Sequence, residues 1–95
     1  MQLEIITPES KVFTGEAEAV QFPGLDGSFQ VMENHAAIIS ALSKGVLKAN
    51  LKENFDALDQ NDSIKVDASD KKVIRIDIKG GVMEMMNNKI IVLAE

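Results

Sequence analysis

Residues 22–37 read Phe22-Pro-Gly-Leu-Asp-Gly-Ser-Phe-Gln-Val-Met-Glu-Asn-His-Ala-Ala37. Pro23-Gly24 and Asp26-Gly27 are turn dipeptides, because proline presets φ while glycine and aspartate accept turn geometries other residues resist. Between these turns and the polar corner Glu33-Asn34-His35 lies a short strand. Phe29 and Val31 share one face, and Gln30 and Met32 the other. The least interchangeable residues of the chain thus sit in two loops flanking one strand, and the rest of the chain reads as a scaffold for those loops.

Outward from this stretch the pattern stays β. Met1 to Thr7 is a first strand with Leu3 and Ile5 on one face, broken by Pro8, which has no amide hydrogen for a ladder. Lys11-Val12-Phe13 is predicted as a second strand ended by Thr14-Gly15, and Glu16 to Phe22 as a third with imperfect alternation. Downstream, Ile38–Leu42 is a strand ended by Ser43-Lys44-Gly45. In Val46–Lys52, Leu47, Ala49 and Leu51 alternate with Lys48, Asn50 and Lys52. Phe55–Leu58 is a short apolar patch, Asp59–Asp62 a turn, Ile64–Val66 a strand and Asp67–Lys72 a hairpin connection. Val73–Lys79 alternates most clearly, with Ile74, Ile76 and Ile78 opposite Arg75, Asp77 and Lys79. Gly80-Gly81 predicts a bulge or a close backbone approach. Asn87-Asn88 predicts a two-residue hairpin turn. The last strand, Ile90-Ile91-Val92-Leu93, is apolar on both faces and reads as central. No stretch holds a helical period. Nine to ten short strands in one domain over residues 1–95 predict an all-β, two-sheet sandwich or flattened barrel.

Composition removes several function classes. The chain has 95 residues, net charge -5 and no cysteine, which excludes a disulfide framework and disfavours a basic face for nucleic acid or anionic lipid. No apolar run approaches the roughly 20 residues that cross a bilayer, so a soluble domain without direct membrane insertion is expected. Four phenylalanines are too few for a base-stacking platform. His35 is the single histidine. With no second histidine, no cysteine and no nucleophile-elbow serine, it reads as a surface hydrogen-bonding residue. Asp59, Asp62, Asp67 and Asp70 lack the spacing of a calcium loop. The glycines precede no helix that could cradle a phosphate. Met83, Met85 and Met86 read as core filling before they read as a soft interaction surface. No catalytic residue, cofactor or metal is expected, which leaves a binding or structural role.

Four stretches then carry a resemblance: Ile6-Thr-Pro-Glu9 with Val12-Phe-Thr-Gly15; Val20-Gln-Phe-Pro-Gly24 into Asp26-Gly27; Asn34-His-Ala36; and Gly80-Gly-Val-Met-Glu84 to Asn88 with Ile91-Val-Leu-Ala-Glu95. In this order they resemble the N-terminal β-sandwich domain of the ε subunit of bacterial F-type ATP synthases, called δ in mitochondria. The resemblance implies a non-catalytic subunit of the central stalk that ties the γ subunit to the ring of c subunits and couples proton flow to ATP synthesis. It places Asp26, Gly27, Ser28 and Glu33 toward the c-ring, and Thr7, His35 and Ser40 toward γ. It further implies a peripheral position on the cytoplasmic face of the bacterial inner membrane, and a monomer when isolated.

The sequence departs from the family pattern in four places. Asn34 and Ala37 stand where the family usually has glycine before the histidine and proline two after it. Ser28 occupies a position that is often acidic, with Asp26 and Glu33 as substitutes. Residues 50–72 are longer and more polar than the usual connection, which predicts an enlarged hairpin. Many relatives continue into a helical hairpin that inhibits hydrolysis or senses ATP, whereas this sequence ends at Glu95 on its last strand, so a sandwich without that hairpin or ATP binding is expected. The competing reading is a free-standing β-sandwich module that holds a ligand or peptide in its loops.

Overall fold

A computed structural model describes residues 1–56 and 61–95. Its nine strands are β1 (Gln2–Ile6), β2 (Lys11–Gly24), β3 (Gly27–Met32), β4 (Ile38–Leu42), β5 (Gly45–Leu51), β6 (Ile64–Val66), β7 (Val73–Ile78), β8 (Gly81–Met86) and β9 (Lys89–Ala94). They form one hydrogen-bonded system in the order β1-β9-β8-β4-β2-β5-β7-β6. β3 also pairs with β2, and β1 closes back onto β2. Two layers result, β2-β1-β9-β8-β4 and β3-β2-β5-β7-β6, with β2 common to both. No helix is present among the described residues. Leu3, Ile5, Met83, Ile90 and Val92 from the first layer meet Val20, Phe22, Val31, Leu47 and Ile74 from the second in one core. This is the expected all-β sandwich.

β2 is where expectation and structure part. Thr14-Gly15 does not turn the chain; a single 14-residue strand runs through both positions. Gly15 is there for space: a Cβ would lie 2.7 Å from Cζ of Phe13, whose buried ring lies across the glycine. The imperfect alternation is explained by a register shift between Ala17 and Ala19. The bulge puts Glu18 out and both Ala19 and Val20 in, so the strand changes its buried parity as it passes from one layer to the other. From Lys11 to Glu16 it pairs with β1; beyond the shift it pairs with β3 on one side and β5 on the other.

The layers also join where β4 gives way to β5 and β7 to β8. At the first corner the Ser43 N–H donates to the Pro23 carbonyl at 2.8 Å. At the second, Lys79 N–H donates to the Glu95 carbonyl and Glu95 N–H to the Gly80 carbonyl, each at 3.1 Å. Gly81 makes the close approach: its φ is 142°, and a Cβ would meet the Leu93 carbonyl oxygen at 2.2 Å. Asn87 and Asn88, at φ 51° and 59°, form the mirror-image turn between β8 and β9. Asn34 stands at φ 63°, in the left-handed region that asparagine tolerates.

Ile74, Ile76 and Ile78 are buried as expected. β9 lies between β1 and β8, yet only Ile90, Val92 and Ala94 are buried. Leu93 is 56% exposed, so the strand is central in pairing and open on one face. The connection at 67–72 is built on Asp67, which accepts from the Ser69 and Asp70 amides and pairs with Arg75 at 2.8 Å. The Arg75 guanidinium, then the Ser69 hydroxyl and amide, hold the Asp67 carboxyl well below its usual range. Much of the patch at Phe55–Leu58 and of the turn at Asp59–Asp62 lies outside the described residues. Phe55 itself packs on Phe13 with ring centroids 5.9 Å apart.

Two stability measurements check this architecture. In urea unfolding, Ile76→Ala should lose about 2–5 kcal/mol through cavity formation in the shared core. Gly81→Ala should be more damaging than Gly27→Ala: both have positive φ, but only Gly81 has backbone in the way, whereas Gly27 faces open space. Equal unfolding midpoints for the two glycine variants would contradict the packing at the second corner.

Candidate functional site

The quoted stretch becomes a hairpin and a corner. β2 and β3 pair from Gly24↔Gly27 to Ala19↔Met32, with Leu25-Asp26 as the exposed tip and Gly27 at φ 115°. Gly24 has no room for a side chain, since a Cβ would lie 2.6 Å from the Gly27 carbonyl oxygen. Pro23 faces Ser28. The Phe22 and Phe29 rings stack at 5.4 Å and brace the hairpin from its core side. β4 passes this tip after a single pairing, Leu42↔Gly24, so Ser40 and Ala41 line a shallow groove with residues 24–29. Asp26, Gly27 and Ser28 are all exposed there, and Leu25 is 68% exposed.

Glu33 is at the other end of β3 and is not a free carboxylate. Its Oε1 ion-pairs with Lys52 and accepts from the Met1 ammonium at 2.5 Å. That ammonium also donates to the Ala17 carbonyl at 3.0 Å and lies 3.5 Å from Glu16 Oε2. The Lys52 bond first, and the Met1 ammonium second, bring the Glu33 carboxyl down to about 2. Glu33 in turn raises Lys52. Beside it, Asn34 N–H donates to Asn88 Oδ1 at 2.8 Å, fastening the corner to the β8–β9 turn. Glu33 is a clasp joining β1, the end of β5 and the β3–β4 corner.

The seven positions singled out by resemblance are therefore dispersed. Asp26, Gly27 and Ser28 are together at the hairpin tip, and Ser40 is beside them rather than beside Thr7. Thr7 follows β1, where its hydroxyl donates to the Ser10 carbonyl at 3.2 Å. His35 is exposed at the clasp end, with Nδ1 2.7 Å from the Ala36 carbonyl oxygen. Among the described residues, no three His, Cys, Asp or Glu side chains cluster to hold a metal ion.

Sequence reading missed one surface. On the outer face of the first layer, Ala41, Val82, Leu93 and Ile6 are consecutive cross-strand neighbours on β4, β8, β9 and β1. With Ile39, 69% exposed one row away, they form an apolar stripe. This stripe, exposed at Ala41, Val82 and Leu93 and half-buried at Ile6, is a candidate contact surface. Its signal was the doubly apolar pattern of β9, which reads equally well as burial on both sides.

The chain is similar to known proteins. A family profile described as the β-sandwich domain of the ATP synthase delta/epsilon chain matches residues 1–58. An ATP synthase epsilon chain of Chlorobium limicola is 36% identical over 94 residues, covering 99% of this chain and 88% of its own length. That of Salinibacter ruber is 33% identical over 95 residues, but this chain spans only 58% of it. A chain of the central stalk/c-ring structure of the Tetrahymena thermophila mitochondrial ATP synthase shares the fold, with TM-score 0.69 at 15% identity, covering 99% of this chain and 62% of that one.

The clasp makes a pH prediction. Because the folded-state Glu33 carboxyl titrates near 2, below its ordinary 4.5, its contribution to stability is fully present above about pH 4.5 and is lost as pH falls toward 2. Glu33→Gln should flatten the acid limb of a plot of unfolding midpoint against pH and leave the curve's shape between about pH 5 and 7 unaltered. An acid limb identical to that of the unaltered protein would show that Glu33 is not the group responsible.

Proposed function

Since this chain belongs to the delta/epsilon family of ATP synthase subunits, we propose that it is a non-catalytic subunit of the synthase rotor that links the γ subunit to the c-ring. The observation that carries this reading is likeness along the whole chain to proteins named ATP synthase epsilon chain. It disfavours a free-standing ligand-binding module. The complex is membrane-associated, and the position proposed for this subunit is peripheral, on the cytoplasmic face. The subunit is proposed to be monomeric until it assembles.

The geometry supports two contacts. A torque-transmitting joint needs loops that do not yield. Here the hairpin tip is braced by the Phe22–Phe29 stack and by Ser43, whose hydroxyl donates to the Gly24 carbonyl at 3.2 Å. The exposed Asp26 and Ser28 offer the ring one carboxylate and one hydroxyl. The apolar stripe Ile6–Leu93–Val82–Ala41 suits a broader, drier contact with γ, with Thr7 at its edge. Glu33 acts in this reading by fixing the corner, since its carboxylate is engaged internally.

Reconstitution of the whole synthase tests the reading. Omitting the subunit should abolish proton-driven ATP synthesis while ATP hydrolysis persists. Asp26→Lys should change folding stability by no more than about 0.5 kcal/mol, because the side chain is exposed. It should lower synthesis more than hydrolysis, with an effect that shrinks as salt rises. Leu93→Asp should weaken co-purification with γ. Normal coupling without the subunit would refute the rotor assignment.

A further inference from the structure

The two ends of the β3-β2-β5-β7-β6 layer are unlike. β6 has three residues and carries Lys65, a short charged edge that discourages another strand from adding. β3 has six, Gly27-Ser-Phe-Gln-Val-Met32, without a charge or a proline, and pairs only with β2. Its hydrogen-bond phase follows from one contact. Glu33 N–H donates to the Glu18 carbonyl at 3.3 Å, so Glu33 faces Glu18 as a bonded pair, and alternation makes Val31 and Phe29 the next bonded positions. Pro23, which has no N–H to give, falls opposite Ser28 at a non-bonded position, consistent with this phase. The amides of Ser28, Gln30 and Met32 therefore point away from β2. Among the described residues β3 pairs with no strand but β2, and these amides make no other backbone bond; at the end of the edge the Met32 carbonyl already accepts from the His35 N–H at 3.2 Å.

We propose that this free edge takes an extended segment of a neighbouring rotor chain as an added strand, an inference that rests on the rotor reading above. The edge specifies the segment. Opposite Phe29 and Val31, whose side chains face the core, it must be apolar; opposite Ser28, Gln30 and Met32, which are exposed, it must be polar or of mixed character. Asp26 before the strand and Glu18 beside its end are exposed and form no ion pair among the described residues, so the segment carries a basic residue at each end. A second copy of this chain does not fit. Antiparallel self-pairing would set Asp26 against the Glu18 end, and parallel pairing would set Asp26 against Asp26, in a chain of net charge -5.

Amide hydrogen exchange, read residue by residue in the free chain and in the assembled rotor, decides the matter. Ser28, Gln30 and Met32 should exchange at least about ten-fold more slowly in the rotor, while Phe29 and Val31 are protected in both states. Gln30→Pro removes an N–H that the fold does not use. It should keep its unfolding midpoint and bind the rotor at least about ten-fold more weakly, whereas Gln30→Ala should bind normally. Unchanged exchange of the three amides in a rotor that still contains the subunit overturns the added strand and leaves the rotor reading standing. Protection that grows with concentration of the free chain overturns it in favour of self-association. Failure to enter the rotor at all overturns both readings. If Gln30→Pro does not fold, the exchange pattern alone decides.

Discussion

Everything in this sandwich depends on β2 serving two layers without a break. A strand that changes layers has to change which side chains it buries, and strict alternation forbids that. The register shift at Ala17–Ala19 supplies the missing half-step, and alanines there let the two layers approach. Gly15 completes the arrangement by leaving space for the Phe13 ring. Around this one strand the chain needs few long connections. β1, β3, β4 and β5 all hydrogen-bond to it directly.

The second level of organisation is at the ends of β3. One end is a tip whose exposed groups are free to meet a partner; the other is a corner whose carboxylate is committed to the protein's own cations. Sequence alone gives the two acids similar standing, because both sit in polar loops flanking a strand. Their difference arises from Met1 and Lys52, residues distant in sequence that only the folded sheet brings to Glu33. In the proposed rotor role the tip is left available to a partner, while the charges at the opposite end of β3 stay engaged within the protein.

Much of this was legible beforehand because it is local. The isoleucines of β7, the Asn87-Asn88 turn, the close approach at Gly81 and the polar hairpin tip each follow from a few adjacent residues and the period-two geometry of a strand. What was not legible depends on neighbours across the sheet. Thr14-Gly15 resembles a turn unless the Phe13 ring is known to lie over the glycine. The doubly apolar β9 looks wholly buried unless the outer face of its layer is known to be uncovered. Ser40 and Thr7 look alike as small polar residues, yet Ser40, in the middle of β4, lines the groove at the hairpin tip and Thr7, just past β1, does not.

The pairing of β1 with β9 bears on how the molecule is made. These strands lie side by side and parallel although they belong to opposite ends of the described fold. The β8–β9 hairpin is local and can form on its own within microseconds. The ring of strands, by contrast, closes only when the first and last strands meet, a contact of very high sequence separation and therefore slow to search for. On the ribosome, β1 and β2 must wait with their apolar faces uncovered until residues 89–94 have left the exit tunnel. The early hairpins are thus the part of the chain most in need of protection during synthesis, and the last strand acts as the latch that ends that exposure.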